Sequence, residues 1–375
     1  MNKVNKSLVL KACLLIVALV ALCIPYIKYL AKPVKKSTLY GAFDIHKNPE
    51  LSIDNWLEGT YQKAFDQFYN QNFCLNSFYI KLNNQLFYSI FQESATKTIV
   101  AGKDNYLFEK KYIDSYLGND FKGEAALDSI IKNLKSVQTF LETNNAEFVL
   151  LLAPNKARVF PQYFPYKYRH VKPGRTNYDY FINALKKNNI NHIDFNTWIE
   201  SLKVPDELRF TKYGTHWSVY SGILASDSLF KYIAYKKGIS NKVIIFDSLT
   251  YTNQYRESDN DLAWGLNLNW DLPALKYCYP TFHIKEDSAF KNIKWLGIGD
   301  SFYWYTYNII IDKKVFNNHS FWYYSKLLYP ESTIKETPVT TELISAAMKK
   351  NDVVVMVISE PNLHEIPYGI NTIIK

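Results

Sequence analysis

The chain has 375 residues, and 47% hydrophobic with 21% charged residues excludes wholesale disorder while leaving room for one large domain or two smaller ones. The formal net charge of +9 is concentrated in Lys3, Lys6, Lys11, Lys28, Lys32, Lys35 and Lys36, which all precede the first acidic residue, Asp44, so the remainder is close to neutral. A nucleic-acid-binding domain carries its excess charge on the folded part, so that class of partner is excluded.

The first predicted element is a membrane anchor. From Ala12 to Ile27 the sequence is apolar apart from Tyr26, and Leu8 to Leu10 with snorkelling by Lys11 and Lys28 extend it towards a full span. A cleaved signal peptide is the alternative, but Ala21-Leu22-Cys23 is a poor substitute for an A-x-A site, and Leu22 stands where a lipoprotein site needs a small residue. Residues 1–36 therefore read as an uncleaved signal anchor that leaves the rest of the chain on the extracytoplasmic, periplasmic side.

Residues 37–97 form a lead-in segment, extended to about residue 60 and then helical. Phe65, Phe68, Phe73, Phe78, Leu82 and Leu86 recur at helical spacing, which predicts one or two amphipathic helices that pack on the catalytic domain. From residue 98 the chain alternates. Short strands at 98–101 and Tyr106 to Phe108 flank a Gly-Lys-Asp-Asn turn. A helix over 124–144 precedes the buried strand Glu147 to Ala153, and a helix over 176–188 precedes a strand at His192 to Phe195. A helix contains Ser218 to Tyr235, and Val243 to Phe246 reads as a further strand. The strand Lys294 to Ile298 runs into Gly299-Asp300-Ser301, and a helix from Thr340 to Lys349 leads to the strand Asp352 to Ile358. Strands alternating with helices make residues 98–375 an α/β domain, a largely parallel sheet with helices on both faces. Catalytic groups in such sheets lie at the carboxyl ends of strands, here after Ala153, Ile298 and Ile358.

Cys13 and Cys23 fall in the anchor, and Cys74 and Cys278 read either as a disulfide or as two buried thiols. The seven histidines are scattered and no C-x-x-C occurs, so neither a metal nor a cofactor is expected. Aromatic residues reach 16%, which fits either a biased base composition or a surface whose ring faces stack on sugars.

Two segments carry candidate chemistry. A glycine at the end of a strand lets the backbone turn sharply and presents Ser301, with Gly299 beside an oxyanion. Gly214-Thr215-His216-Trp217-Ser218 opens the next helix and offers His216 as the base that takes the serine proton, with Trp217 beside it. Asn155 and Lys156 follow a strand end, Asn155 as an oxyanion donor or a turn residue. Glu360, at the last strand end, holds a sugar hydroxyl or caps the following loop.

With these residues the sequence resembles the alginate O-acetyltransferase family, whose catalytic domains are SGNH-hydrolase-like. The resemblance also rests on Ala101-Gly102-Lys103-Asp104-Asn105-Tyr106-Leu107-Phe108, on Ala153-Pro154-Asn155-Lys156-Ala157 through Val159-Phe160-Pro161, on Asp261-Leu262-Ala263 and on Ser359-Glu360-Pro361-Asn362-Leu363. As in that family, the histidine precedes the serine. The resemblance implies an acetyltransferase in which Ser301 forms an acyl-enzyme and His216 acts as general base. It implies a membrane-bound O-acyltransferase as acetyl supplier and an exported or cell-envelope polysaccharide as acceptor. A carbohydrate acetyl-esterase is a close variant, and a catalytically inactive glycan-binding or assembly protein on the same fold is the alternative. The sequence departs from the family's Asp-x-His-Trp motif at Gly214. Loss of a triad aspartate costs a serine protease about 10⁴ in turnover. Either a Ser301–His216 dyad operates alone, or another carboxylate serves, with Asp206 and Glu207 nearest upstream. On the dyad reading, Gly214→Asp is expected to raise the rate.

Overall fold

The computed structural model describes residues 6–30, 38–41, 45–73, 75–239, 244–285 and 288–372. The chain divides into two compact units, one of residues 1–96 with 264–271 and the other of residues 97–263 with 272–375.

The first unit is helical. Its helix Lys6–Leu30 exposes Leu10, Leu14, Leu15, Ile16 and Val17. Among the described residues no helix is long and apolar enough to cross a membrane. The expected transmembrane helix is therefore not supported among the described residues. The amphipathic pair is Thr60–Asn72 and Asn76–Phe91, the first of which carries a ladder of stacked rings through Tyr61, Phe65 and Tyr69. Residues 264–271 are fastened within this unit. Asn267 bridges the N–H and C=O of Tyr40 at 2.8 and 2.9 Å, and Asn84 donates to Leu266 O at 2.8 Å.

The second unit opens with an antiparallel pair, β1 (Ile99–Ala101) and β2 (Leu107–Glu109). Strands β3 (Glu147–Ala153) and β4 (His192–Asp194) follow, then β5 (Ile244–Thr252) and β6 (Tyr277–Ile284), and finally β7 (Lys294–Gly299), β8 (Asn318–Tyr323), β9 (Leu327–Tyr329) and β10 (Val353–Ser359). Six of them form the central sheet in the order β4-β3-β10-β7-β8-β9, parallel throughout except for the antiparallel β8–β9 pair. Side chains of a strand alternate between faces, so a sheet covered on both sides needs near-continuous apolar runs, which β3 and β10 supply. Phe148, Leu150, Met356 and Ile358 pack with Phe181 and Met348 on one face. Val149, Leu151, Val355 and Trp295 pack with Phe230 and Ile310 on the other.

Two expectations are corrected. Of the strand expected at Val243 to Phe246, residues 244–246 belong to β5, which pairs antiparallel with β6 outside the central sheet, and Val243 lies outside the described residues. His216 does not open a helix: the helix Val219–Lys236 begins after the N-cap Ser218, and His216 lies in the loop before it. Cys278 is a buried free thiol, and Cys74 lies outside the described residues.

The face beneath Ser301 is set by Gly297. A Cβ there would come within 2.2 Å of the Tyr303 ring, which lies directly on the glycine. The Tyr303 hydroxyl accepts from Trp295 Nε1 at 2.6 Å, so the turn after β7 is fixed from below. Gly297→Ala should therefore cost at least the roughly 1–3 kcal/mol of an overpacked core. It should appear as a lower urea midpoint at unchanged m-value.

Candidate active site

At the end of β7 the chain turns over Asp300, whose side chain is buried. Asp300 Oδ1 accepts from Phe302 N at 3.1 Å, and Oδ2 accepts from Ser359 N at 2.8 Å. The carboxylate thus ties the residues after β7 to the last residue of β10 and sets Ser301 at the start of the turn Ser301–Tyr303. Gly299 serves packing: a Cβ there would lie 2.8 Å from Val357 Cβ and 2.9 Å from its carbonyl oxygen.

The structure brings His216 to Ser301. His216 Nε2 lies 2.8 Å from Ser301 Oγ, and the imidazole rests against the Phe302 ring at a centroid distance of 4.7 Å. Both residues line a small pocket of about 110 Å³ with Ser258, Trp304 and Tyr305. Trp217 lies beneath it. Its ring is buried edge-on against Phe302 and Phe195, so it supports the turn and does not line the pocket.

Asn155 and Lys156 are committed to the scaffold. Asn155 caps the short helix Lys156–Val159 by accepting from Ala157 N at 2.8 Å, and its Nδ2 donates to Tyr112 O and Glu360 Oε2 at 3.0 and 2.9 Å. Both ends of the amide are occupied, so Asn155 offers no oxyanion donor. Glu360 pairs with Arg158 at 2.7 Å and accepts from Asn155 Nδ2 at 2.9 Å in the interior, so among the described residues its carboxylate caps no loop and is turned away from a sugar contact. Lys156 Nζ donates to the carbonyls of Thr211, Lys212 and Gly214 at 2.8, 2.9 and 2.7 Å. These match the three N–H bonds of an ammonium. Burial pushes Lys156 down to about 7, with the Asp261 charge pulling the other way. The lysine is the clamp of the loop that delivers His216.

Position 214 lacks space for a side chain. A Cβ there would meet Thr211 Oγ1 at 2.6 Å, Ser258 O at 2.7 Å and Asp259 O at 3.1 Å. Neither Asp206 nor Glu207 takes the place of the absent aspartate. Asp206 accepts from the Tyr163 hydroxyl at 3.1 Å and faces Arg209 at 3.7 Å, while Glu207 lines a separate cavity of about 270 Å³ with Lys212 and Lys276. The carboxylate beside the imidazole is Asp261. Its Oδ1 accepts from Thr215 N at 2.9 Å and its Oδ2 lies 3.5 Å from His216 Nδ1. Sequence proximity to the histidine pointed elsewhere, and the signal available was the Asp261-Leu262-Ala263 block. Among the described residues no group of His, Cys, Asp or Glu is placed to hold a metal ion.

Residues 99–243 match the family model of the SGNH hydrolase-like domain, acetyltransferase AlgX. Over that segment the chain resembles the SGNH hydrolase-like acetyltransferases. The match takes in β1 to β4, Lys156 and His216, and ends before Asp261 and Ser301. The O-acetyltransferase domain of Pseudomonas putida AlgJ is 17% identical, with 74% of this chain and 98% of that one covered at a TM-score of 0.47. Pseudomonas aeruginosa AlgX is 11% identical, covering 74% and 69% at 0.49. Bacillus cereus PatB1 is 13% identical, covering 71% and 96% at 0.44. No curated protein matches the sequence.

The crowding at Gly214 reverses the expectation for Gly214→Asp. An added Cβ forces the loop away from Ser258 and Asp259, so both Gly214→Ala and Gly214→Asp should lower activity and the unfolding midpoint. Neither should raise the rate. Esterase assays with an activated acetyl ester and thermal unfolding of both variants check this.

Proposed function

We propose that the chain is an extracytoplasmic O-acetyltransferase that moves acetyl groups onto hydroxyls of an exported or cell-envelope polysaccharide through a Ser301 acyl-enzyme. The observation that carries this reading is the 2.8 Å contact between His216 Nε2 and Ser301 Oγ at the carboxyl end of β7. His216 takes the Ser301 proton as Oγ attacks the acetyl carbonyl of the donor ester, and the imidazolium returns that proton to the departing alcohol. In the second half an acceptor hydroxyl gives its proton to Nε2 and attacks the acetyl-serine. Ser301 then leaves and regains a proton from the imidazolium, so the sum of both halves is acetyl transfer with no cofactor. Water in place of the acceptor gives the esterase variant.

Trp304 and Tyr305 line the pocket with Ser301, and aromatic residues at such a site favour a carbohydrate acceptor, whose apolar ring faces pack on them. A membrane-bound O-acyltransferase is the proposed acetyl supplier. Residues 1–36 are the proposed anchor, argued from the apolar run Ala12 to Ile27 between Lys11 and Lys28.

Incubation with an activated acetyl ester, followed by intact-mass measurement, should show one acetyl group added to the wild type. Ser301→Ala should add none, and His216→Ala should slow acylation by about 10²–10⁴-fold, the range of general-base catalysis. Acylation of Ser301→Ala at the wild-type rate would sink the assignment. The full chain should fractionate with membranes, whereas a chain starting near residue 37 should stay in the soluble fraction. A mature native N-terminus beginning after Cys23 would instead leave a secreted protein.

A further inference from the structure

Replacement of a motif aspartate by glycine leaves open what orients the imidazole, and the segment Ser258–Ala263 bears on this in two independent ways. The backbone carbonyls of Ser258 and Asp259 occupy the space that a side chain at position 214 would need. The same segment then presents Asp261 to the other side of the histidine.

The local geometry is restrictive. The Thr215 N–H, one residue before His216, holds Asp261 Oδ1 at 2.9 Å and so fixes the carboxylate plane against the loop. Asp261 Oδ2 is left facing His216 Nδ1 at 3.5 Å. Nδ1 is buried and makes no hydrogen bond among the described residues. A buried ring nitrogen without a partner is costly, and the carboxylate is the acceptor placed to relieve it. Catalytic contacts in free sites are often long and tighten when charge develops. The other charges near Asp261 are already engaged: Asp259 Oδ2 accepts from the Tyr279 hydroxyl at 2.6 Å, and Lys156 Nζ is held by three carbonyls.

We infer that Asp261 is the residue that positions His216, supplying from the segment Ser258–Ala263 the orientation and counter-charge that position 214 cannot supply. With Nδ1–H donated to Asp261, the Nε2 lone pair points at the Ser301 hydroxyl, which is the tautomer a general base needs. When His216 takes the serine proton, the imidazolium lies beside a carboxylate. Asp261 is 30% exposed, so its charge is partly screened and its removal costs less than that of a buried triad aspartate. The inference rests on the acyl-enzyme proposal for its kinetic consequence and on geometry alone for the tautomer.

Asp261→Asn is the decisive variant, because its amide oxygen still accepts from Thr215 N–H and keeps the loop in place. Its kcat for an activated acetyl ester should fall by about 10²–10³-fold, below the roughly 10⁴-fold cost in a serine protease, with KM nearly unchanged. Asp261→Glu should recover part of the loss. The second readout needs no activity: nitrogen-15 shifts of the His216 ring, assigned by their loss in His216→Gln, should report Nδ1–H in the wild type and a shift towards Nε2–H in Asp261→Asn. If the wild type is not acylated but the tautomer follows Asp261, the acyltransferase reading fails and the pairing stands. A folded Asp261→Asn with kcat within about twofold and an unchanged tautomer would overturn the inference.

Discussion

A carboxylate that is 1% exposed persists only if donors meet its oxygens, and Asp300 is met by the backbone N–H groups of Phe302 and Ser359. These donors belong to the turn after β7 and to the last residue of β10, so one side chain joins the carboxyl ends of two neighbouring parallel strands. Ser301 lies inside that ligature. The surroundings are kept apolar and neutral: burial, followed by the Asp300 charge, pushes the phenols of Tyr112, Tyr323, Tyr324 and Tyr368 above their ordinary range. Tyr368 in turn donates to Val357 O at 3.0 Å, the strand against which Gly299 packs without a side chain. The serine is therefore placed by the sheet itself.

His216 is placed by a different means. It lies on the loop closed by the bridge between Phe210 and Trp217, just before the helix Val219–Lys236. Its position depends on Lys156, the first residue of a short helix after β3, whose three carbonyl contacts gather residues 211, 212 and 214. Because β10 lies between β3 and β7 in the sheet, the lysine and the serine rise from strand ends two places apart. The loop spans that gap and closes on Ser301 from the side. This is the usual location of a site in a parallel sheet, at the carboxyl edge.

The parts readable from sequence are those where one physical demand dominates. β3, β7 and β10 must be apolar on both faces, and the helices 124–143, 177–187 and 341–350 show the 3.6 period of one buried side. The helix Trp304–Asp312 escaped notice because Trp-Tyr-Thr-Tyr-Asn-Ile-Ile-Ile is rich in aromatic and β-branched residues, which favour strands. Burial of Tyr307, Ile309 and Ile310 against the sheet overrides that preference. β6 contains Pro280, which argues against a ladder strand, and is tolerated because β6 pairs on one side only, with β5. Asp206 and Glu207 were the nearest acids upstream of His216, yet nearness along the chain is a poor guide across a fold whose long loops return to the sheet edge. Asp261 arrives by such a return.

Gly214 reads as the mark of a decayed site only if the space it vacates is empty. That space is filled by the carbonyls of Ser258 and Asp259, while the carbonyl of Gly214 itself turns inward to Lys156 at 2.7 Å. The two facts are one geometry. A backbone that aims the carbonyls of 211, 212 and 214 at a single buried amine brings the 214 α-carbon against the neighbouring segment. Any side chain there would displace either that segment or the carbonyl. Displacing the carbonyl leaves a buried ammonium short of a partner, and a buried charge that loses a partner costs several kcal/mol. Glycine at 214 is thus tied to lysine at 156, and an acid for the imidazole has to come from elsewhere in the chain. The segment that excludes a side chain at 214 is the one that carries Asp261.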